Sequence, residues 1–117
     1  MFKKGDLCKH FKGEDLIHKN IYEILETGVK YTGNAQDVKG NFVVYKNMFQ
    51  ENPIFAREEV ELTEELEEDK KRKFRQKYRV EKLTPEEIET ISTEEFIKAK
   101  KEYIETLKEV KECLQTM

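Results

Sequence analysis

Tryptophan is absent from this chain of 117 residues, and cysteine, proline and histidine occur only twice each. The two cysteines, Cys8 and Cys113, lie near opposite ends. A small secreted scaffold held by disulfides carries more, so both read as reduced thiols of a cytoplasmic protein. Long apolar runs are also missing. Nothing approaches the ~20 residues of a membrane span, and no apolar signal-peptide core follows the basic Met1-Phe2-Lys3-Lys4 start. The five glycines never reach the spacing of a P-loop or a dinucleotide fingerprint, so no cofactor is expected. His10 and His18 assemble no Ser/His/Asp or Cys/His set. With Cys8 they fall short of the four ligands of a structural zinc site. No catalytic or metal-binding residue is assigned, and an enzymatic role ranks last.

Charge, by contrast, is abundant. Charged residues make up 40% of the chain and hydrophobic ones 37%, which limits the core to a small one. Seven phenylalanines and five tyrosines are nevertheless too many for a disordered chain. The formal net charge of -3 argues against wholesale nucleic-acid binding, although not against a local basic patch. Residues 1–60 balance nine basic against nine acidic side chains, so the excess lies in residues 61–117, with 13 basic and 16 acidic.

The clearest strand signals come early. Leu7 to Phe11, between Gly5 and Gly13, reads as a short first strand, and Ile21 to Leu25 as a stronger one that Val29 and Tyr31 extend. Phe42-Val43-Val44-Tyr45, followed by Met48-Phe49, is dense enough for a central strand packed on both faces. Asn52-Pro53 turns the chain into a return strand, Ile54-Phe55-Ala56-Arg57. Glu58 to Asp69 then holds eight acidic residues, and Lys70 to Arg79 is mostly basic. A solvated helix over about 64–76, capped by Thr63, accounts for both runs through the i,i+4 pairs Glu67–Lys71, Glu68–Arg72 and Asp69–Lys73. Tyr78 to Leu83 reads as the last strand, with Tyr78, Val80 and Leu83 inward.

Two helix starts follow. Thr84-Pro85-Glu86-Glu87 carries a cap, proline at the first helical position and a capping-box glutamate, predicting a short helix over about 85–91. Ser92-Thr93-Glu94-Glu95 repeats the signal ahead of a long helix over about 93–115. There Phe96, Tyr103, Leu107, Val110 and Leu114 form a heptad seam, which Lys100 interrupts and Ile97 and Ile104 widen. Packing on the chain's own sheet and self-association through this helix both fit the stripe. Lys70 to Arg79 interleaves basic residues with Phe74 and Tyr78, a composition that contacts phosphates and stacks on bases. The adjacent acidic run neutralises it, so a self-paired solvated helix is preferred and a nucleic-acid partner is not expected.

His10-Phe11-Lys12-Gly13, Tyr22-Glu23-Ile24, Val43-Val44-Tyr45, Phe55-Ala56-Arg57 and Gln76-Lys77-Tyr78-Arg79-Val80-Glu81 occur in an order and spacing that resemble the bacterial family of domain of unknown function 1653. The resemblance covers about residues 4–83. It implies a small Src-homology-3-like β-barrel. The chain departs from the family pattern at Ala35 and Asp37, aligned where many relatives carry a histidine and an acid, and at Arg57-Glu58 in place of Arg-Pro.

The expectation is therefore a mainly β domain over residues 1–83, with a charged helical insertion, followed by a helical extension over residues 84–117. Small barrels of this type bind through surface aromatics and a few polar groups, which selects Phe11, Tyr22, Tyr45 and Arg57, with His10 at the edge. The aromatics would supply stacking area and Arg57 a forked anion contact. The function expected is a non-enzymatic module that binds a protein, peptide or small ligand. The alternatives are a phage or mobile-element protein that sequesters or mimics a host factor, and nucleic-acid binding through residues 70–79.

Overall fold

The computed structural model describes residues 1–33 and 40–116, and the departures at Ala35 and Asp37 lie outside these. The chain divides into two compact units, Met1–Leu83 and Thr84–Met117. The first is a five-stranded antiparallel sheet built from β1 (Leu7–His10), β2 (Ile21–Val29), β3 (Phe42–Asn47), β4 (Ile54–Glu58) and β5 (Val80–Lys82). Strand order is β4-β3-β2-β1-β5. The centre is thus β2 rather than the apolar run Phe42–Tyr45. In β3 burial alternates residue by residue, and Val43, Tyr45 and Asn47 take the covered face.

Register decides which side chains meet. Cys8 lies opposite Tyr22 and Lys82, and His10 opposite Val80. Tyr22 faces Asn47 and Ile24 faces Tyr45. Tyr45 lies opposite Phe55, and Val43 opposite Arg57. Because side chains alternate along a strand, all of these share one face of the sheet. Cys8, Ile24, Val43 and Val80 form the core of that face with Phe2, Tyr45 and Leu62. Two register shifts in β2, between Ile24 and Glu26 and between Glu26 and Val29, insert extra residues; Gly28 supplies the positive φ of 66° at the second. Such bulges bend a strand and increase its twist.

The charged segment departs from expectation. Instead of one helix over about 64–76, the chain forms α1 (Glu59–Leu62) and α2 (Glu68–Phe74). Thr63 closes α1 rather than opening a helix, its hydroxyl donating to the Glu59 carbonyl at 3.2 Å. The physical reason lies in the backbone of Glu64–Leu66. It pairs with Lys77–Arg79 through Leu66 N to Lys77 O (2.8 Å) and Arg79 N to Glu64 O (2.9 Å), so these residues are extended. Tyr78 belongs to this bridge and is exposed, not inward, whereas Val80 and Leu83 are buried.

In the second unit, α3 (Pro85–Ile91) begins with both bonds of the capping box: Glu87 N to Thr84 Oγ1 at 3.2 Å and Thr84 N to Glu87 Oε1 at 2.9 Å. Helix α4 (Glu94–Thr116) buries Phe96, Lys100 and Ile104, while Leu107, Val110 and Leu114 are exposed. Lys100, which interrupts the seam in sequence, sets its Nζ 5.6 Å from the Tyr103 ring.

The turn after β1 depends on Gly13, whose φ is 103°. A Cβ there would meet the His18 carbonyl oxygen at 2.6 Å. Gly13→Ala is expected to cost about 1–3 kcal/mol through strain at this φ alone. Urea denaturation read by circular dichroism checks it, with a lowered midpoint as the expected outcome.

Candidate functional site

The site begins with a buried cation. The turn that Gly13 permits is held by Asp15, which accepts from the His18 backbone at 3.0 Å and contacts His18 Nδ1 at 2.7 Å. It delivers Lys19 inward with only 4% of its surface exposed. Lys19 Nζ donates to the Phe11 carbonyl at 2.7 Å and to the Phe74 carbonyl at 3.1 Å. Those two carbonyls belong to segments far apart in sequence, the end of β1 and the end of α2. The helix ends there because Arg75 adopts a left-handed conformation, φ 55° and ψ 43°. Gln76 is then buried, its Nε2 donating to the carbonyls of Tyr78 (2.8 Å), Lys9 (3.2 Å) and Arg79 (3.3 Å).

From this clasp a row of rings crosses the sheet. Phe74 meets Phe11 edge-on at 5.3 Å, and Phe11 meets His10 at 4.7 Å. His10 meets Tyr22 at 6.3 Å, Tyr22 meets Tyr45 at 4.7 Å, and Tyr45 stacks on Phe55 at 5.5 Å. At the far end the Arg57 side chain is hydrogen-bonded to the Tyr45 hydroxyl and lies 3.6 Å from Glu61. Asn20 is hydrogen-bonded to the Tyr22 hydroxyl and, through Oδ1, accepts from Asn47 Nδ2 at 3.4 Å.

Of the five residues singled out in the sequence, His10, Tyr22, Tyr45 and Arg57 share one face, and Phe11, just past the end of β1, joins the row through its ring contact with His10. Their roles need correction in two cases. Phe11 and Tyr45 are each 4% exposed, so their rings are filler between open ones and do not offer stacking area. Half-buried His10 and Tyr22 and the 39%-exposed Phe55 offer it instead. Phe55 was within reach of sequence reasoning, since it lies two residues from Arg57 and therefore on the same strand face. In sequence Phe74 stands out only as a ring of the basic segment; its contact with Phe11 follows from the long-range packing of α2 against the end of β1.

Electrostatics set the protonation states. Burial, and after it the charges of Lys12, Arg79, Arg57 and Lys19, pushes the His10 imidazole down to about 4. At neutral pH the ring is therefore uncharged. Its Nδ1 accepts from the Lys12 backbone at 3.3 Å, which assigns the proton to Nε2. Burial also raises the Tyr22 and Tyr45 hydroxyls, so both are protonated donors at neutral pH. Burial, with Asp6 adding to it, pushes the Cys8 thiol up to about 12, which removes it as a nucleophile at neutral pH. Among the described residues no group of three or more His, Cys, Asp and Glu side chains is arranged to hold a metal ion.

The basic segment is not self-paired as its sequence suggests. Of the three i,i+4 pairs expected, none forms; Lys71 binds Glu68 at 2.9 Å and Glu65 at 3.1 Å, and Lys77 approaches Glu65 at 3.7 Å. The extended Glu64–Leu66 segment carries Glu65 to these partners. Among the described residues Lys70, Arg72, Lys73 and Arg75 make no ion pair, and all are exposed. Lys70 Nζ lies 5.9 Å from the Phe11 ring and Lys73 Nζ 5.2 Å from the Phe74 ring. These lysines, with Lys12, Asp69 and the two phenyl rings, line a cavity of about 440 Å³.

Comparison with known proteins finds no family model, no curated protein and no solved structure that matches the chain.

The His10 environment generates a pH signature. The folded imidazole titrates at about 4 against 6.5 ordinarily, so between these values the unfolded chain binds the extra proton. His10's contribution to stability is complete above pH 6.5 and is lost as pH falls toward about 4. Urea midpoints measured across this window should fall with pH, and His10→Gln should flatten that part of the slope.

Proposed function

We propose that this chain is a non-enzymatic binding module whose ligand, a protein, peptide or small molecule, docks on the aromatic face of the sheet. A planar or apolar group lies against His10, Tyr22 and Phe55, and an anionic group meets the Arg57 fork. The single observation that carries this reading is the shared face. Tyr22 and Tyr45 hydroxyls, an uncharged imidazole and an exposed guanidinium converge on one side of β1 to β4. The cations around His10 repel a proton, and the same field attracts an anionic ligand.

We further read residues 4–83 as a Src-homology-3-like barrel of the domain of unknown function 1653 family. The motifs that resemble that family supply every ring of the row but Phe74, and the two bulges in β2 favour a strongly curved sheet. The sheet pairs β4-β3-β2-β1-β5 without a β4–β5 ladder among the described residues, so the barrel in this reading is a partly open one.

Titration of labelled protein with phenyl phosphate, followed by amide NMR, tests the site. Saturable shifts are expected at His10, Tyr22, Phe55 and Arg57. Arg57→Ala should weaken the affinity about tenfold or more, the worth of a hydrogen bond to a charged group. Shifts dispersed over other surfaces, or an Arg57→Ala variant that binds as tightly as the parent, would refute the assignment.

A further inference from the structure

We propose that the ligand of this face is single-stranded nucleic acid, its phosphates held by Lys12, Lys70 and Lys73 and its bases stacked on Phe74, His10, Tyr22 and Phe55. The inference rests on the binding-module reading and names the ligand class of that site.

Three observations converge on it. The first is the failure of the acidic run to neutralise the basic one. Lys70 and Lys73 are exposed, have no carboxylate partner among the described residues, and line the cavity at the Phe74 end of the ring row together with Lys12. Arg72 and Arg75 continue the positive surface around a neighbouring cavity of about 360 Å³, where Glu14 and Asp15 also lie. Asp15 is engaged with His18 and Asp69 is the only acid in the first cavity, so cations dominate the pair.

The second is the partition of charge between the two units. Residues 1–83 hold 17 of the 22 basic side chains and 16 of the 25 acidic ones, a net of +1. Residues 84–117 hold the remaining five and nine, a net of -4. The overall negative charge therefore belongs to the helical unit and is no argument against a polyanion on the sheet.

The third is the pattern of rings. Open rings alternate with buried ones: Phe74, then buried Phe11, then His10 and Tyr22, then buried Tyr45, then Phe55. Cations stand at both ends of the row, the lysine cavity at one and Arg57 at the other. A track of stacking surfaces bounded by positive charge suits unpaired bases on a phosphate backbone, which duplex DNA does not offer. The helix at the Phe74 end of the row, α2, has only seven residues, short for an element that reads a duplex groove. An acidic polypeptide would satisfy the lysines but leave the rings without planar partners. His10, uncharged at neutral pH, provides a ring face and an Nε2 proton without adding to the ionic contacts.

Fluorescence anisotropy of a labelled oligothymidylate of ~12 nucleotides, within the ordinary site size for such surfaces, tests the inference across a salt series. Each phosphate contact contributes about -0.7 to the slope of log affinity against log salt, so three lysines predict about -2. Lys12→Gln, Lys70→Gln and Lys73→Gln together should remove most of that slope, and thermal unfolding confirms that the exposed substitutions leave the fold intact. Phe55→Ala should weaken binding about tenfold with the slope unchanged. A triple variant that keeps the parental slope overturns the proposal. So does polyglutamate that competes as well as oligothymidylate, which would make the surface one for acidic polypeptides. Absence of oligothymidylate binding at low salt overturns it too. If phenyl phosphate still binds in an Arg57-dependent way, the ligand class alone fails; if it does not, the site fails with it.

Discussion

A buried ammonium joins the two parts of this surface. Lys19 donates to the carbonyls of Phe11 and Phe74 from a site with almost no solvent access. A charge in such a position is tolerable only when its donors are satisfied, and both carbonyls gain a partner in return. The consequence is geometric. The end of β1 and the end of α2 are fixed side by side, Phe11 meets Phe74, and the lysines of α2 stand over the same rings. The clasp adds to the Gln76 Nε2 to Lys9 O and Phe11 N to Arg79 O bonds that also tie the segment after α2 to β1, and it is the one that reaches the end of α2 itself.

Charge is segregated as well as abundant. The segment Glu64–Leu66, paired in extended form with Lys77–Arg79, holds Glu65 against Lys71 and Lys77 and leaves the lysines on the other side of α2 unmatched. At His10, burial, and after it the charges of Lys12, Arg79, Arg57 and Lys19, keeps the imidazole neutral. Stacking rings, neutral donors and unmatched cations thus share one face. The core lies on that face too, where Cys8, Ile24, Val43 and Val80 cluster with Phe2, Tyr45 and Leu62.

Much of the fold was legible in local pattern. The short strands around Ile21 and Phe42, the return strand Ile54–Arg57 and the capping box at Thr84 all rest on adjacent residues, and each is found where its signal lies. The charged stretch was misread because i,i+4 pairing is a local rule, whereas Glu64–Leu66 follows a long-range partner that no local rule contains. The ring row was legible in part. His10, Tyr22, Tyr45 and Arg57 fall on one face by register, and Phe11, just past the end of β1, joins them through its ring contact with His10. Tyr45 is closed because it packs in the core with Phe2 and Leu62. Phe74 was legible as a stacking ring of the basic segment, but its place beside Phe11 was not, because that depends on long-range bonds: Lys19 to the Phe11 and Phe74 carbonyls, Gln76 to the Lys9 carbonyl and Phe11 N to Arg79 O.

The most direct measurement is an amide NMR map of the labelled protein with oligothymidylate, taken for the parent chain and for Lys19→Met. The account predicts one continuous response in the parent, from Lys70 and Phe74 through His10 and Tyr22 to Phe55 and Arg57. In Lys19→Met the response should break between α2 and the sheet while the strands remain folded. A response confined to α2, or one that Lys19→Met leaves unchanged, would contradict the claim that the clasp makes a single surface.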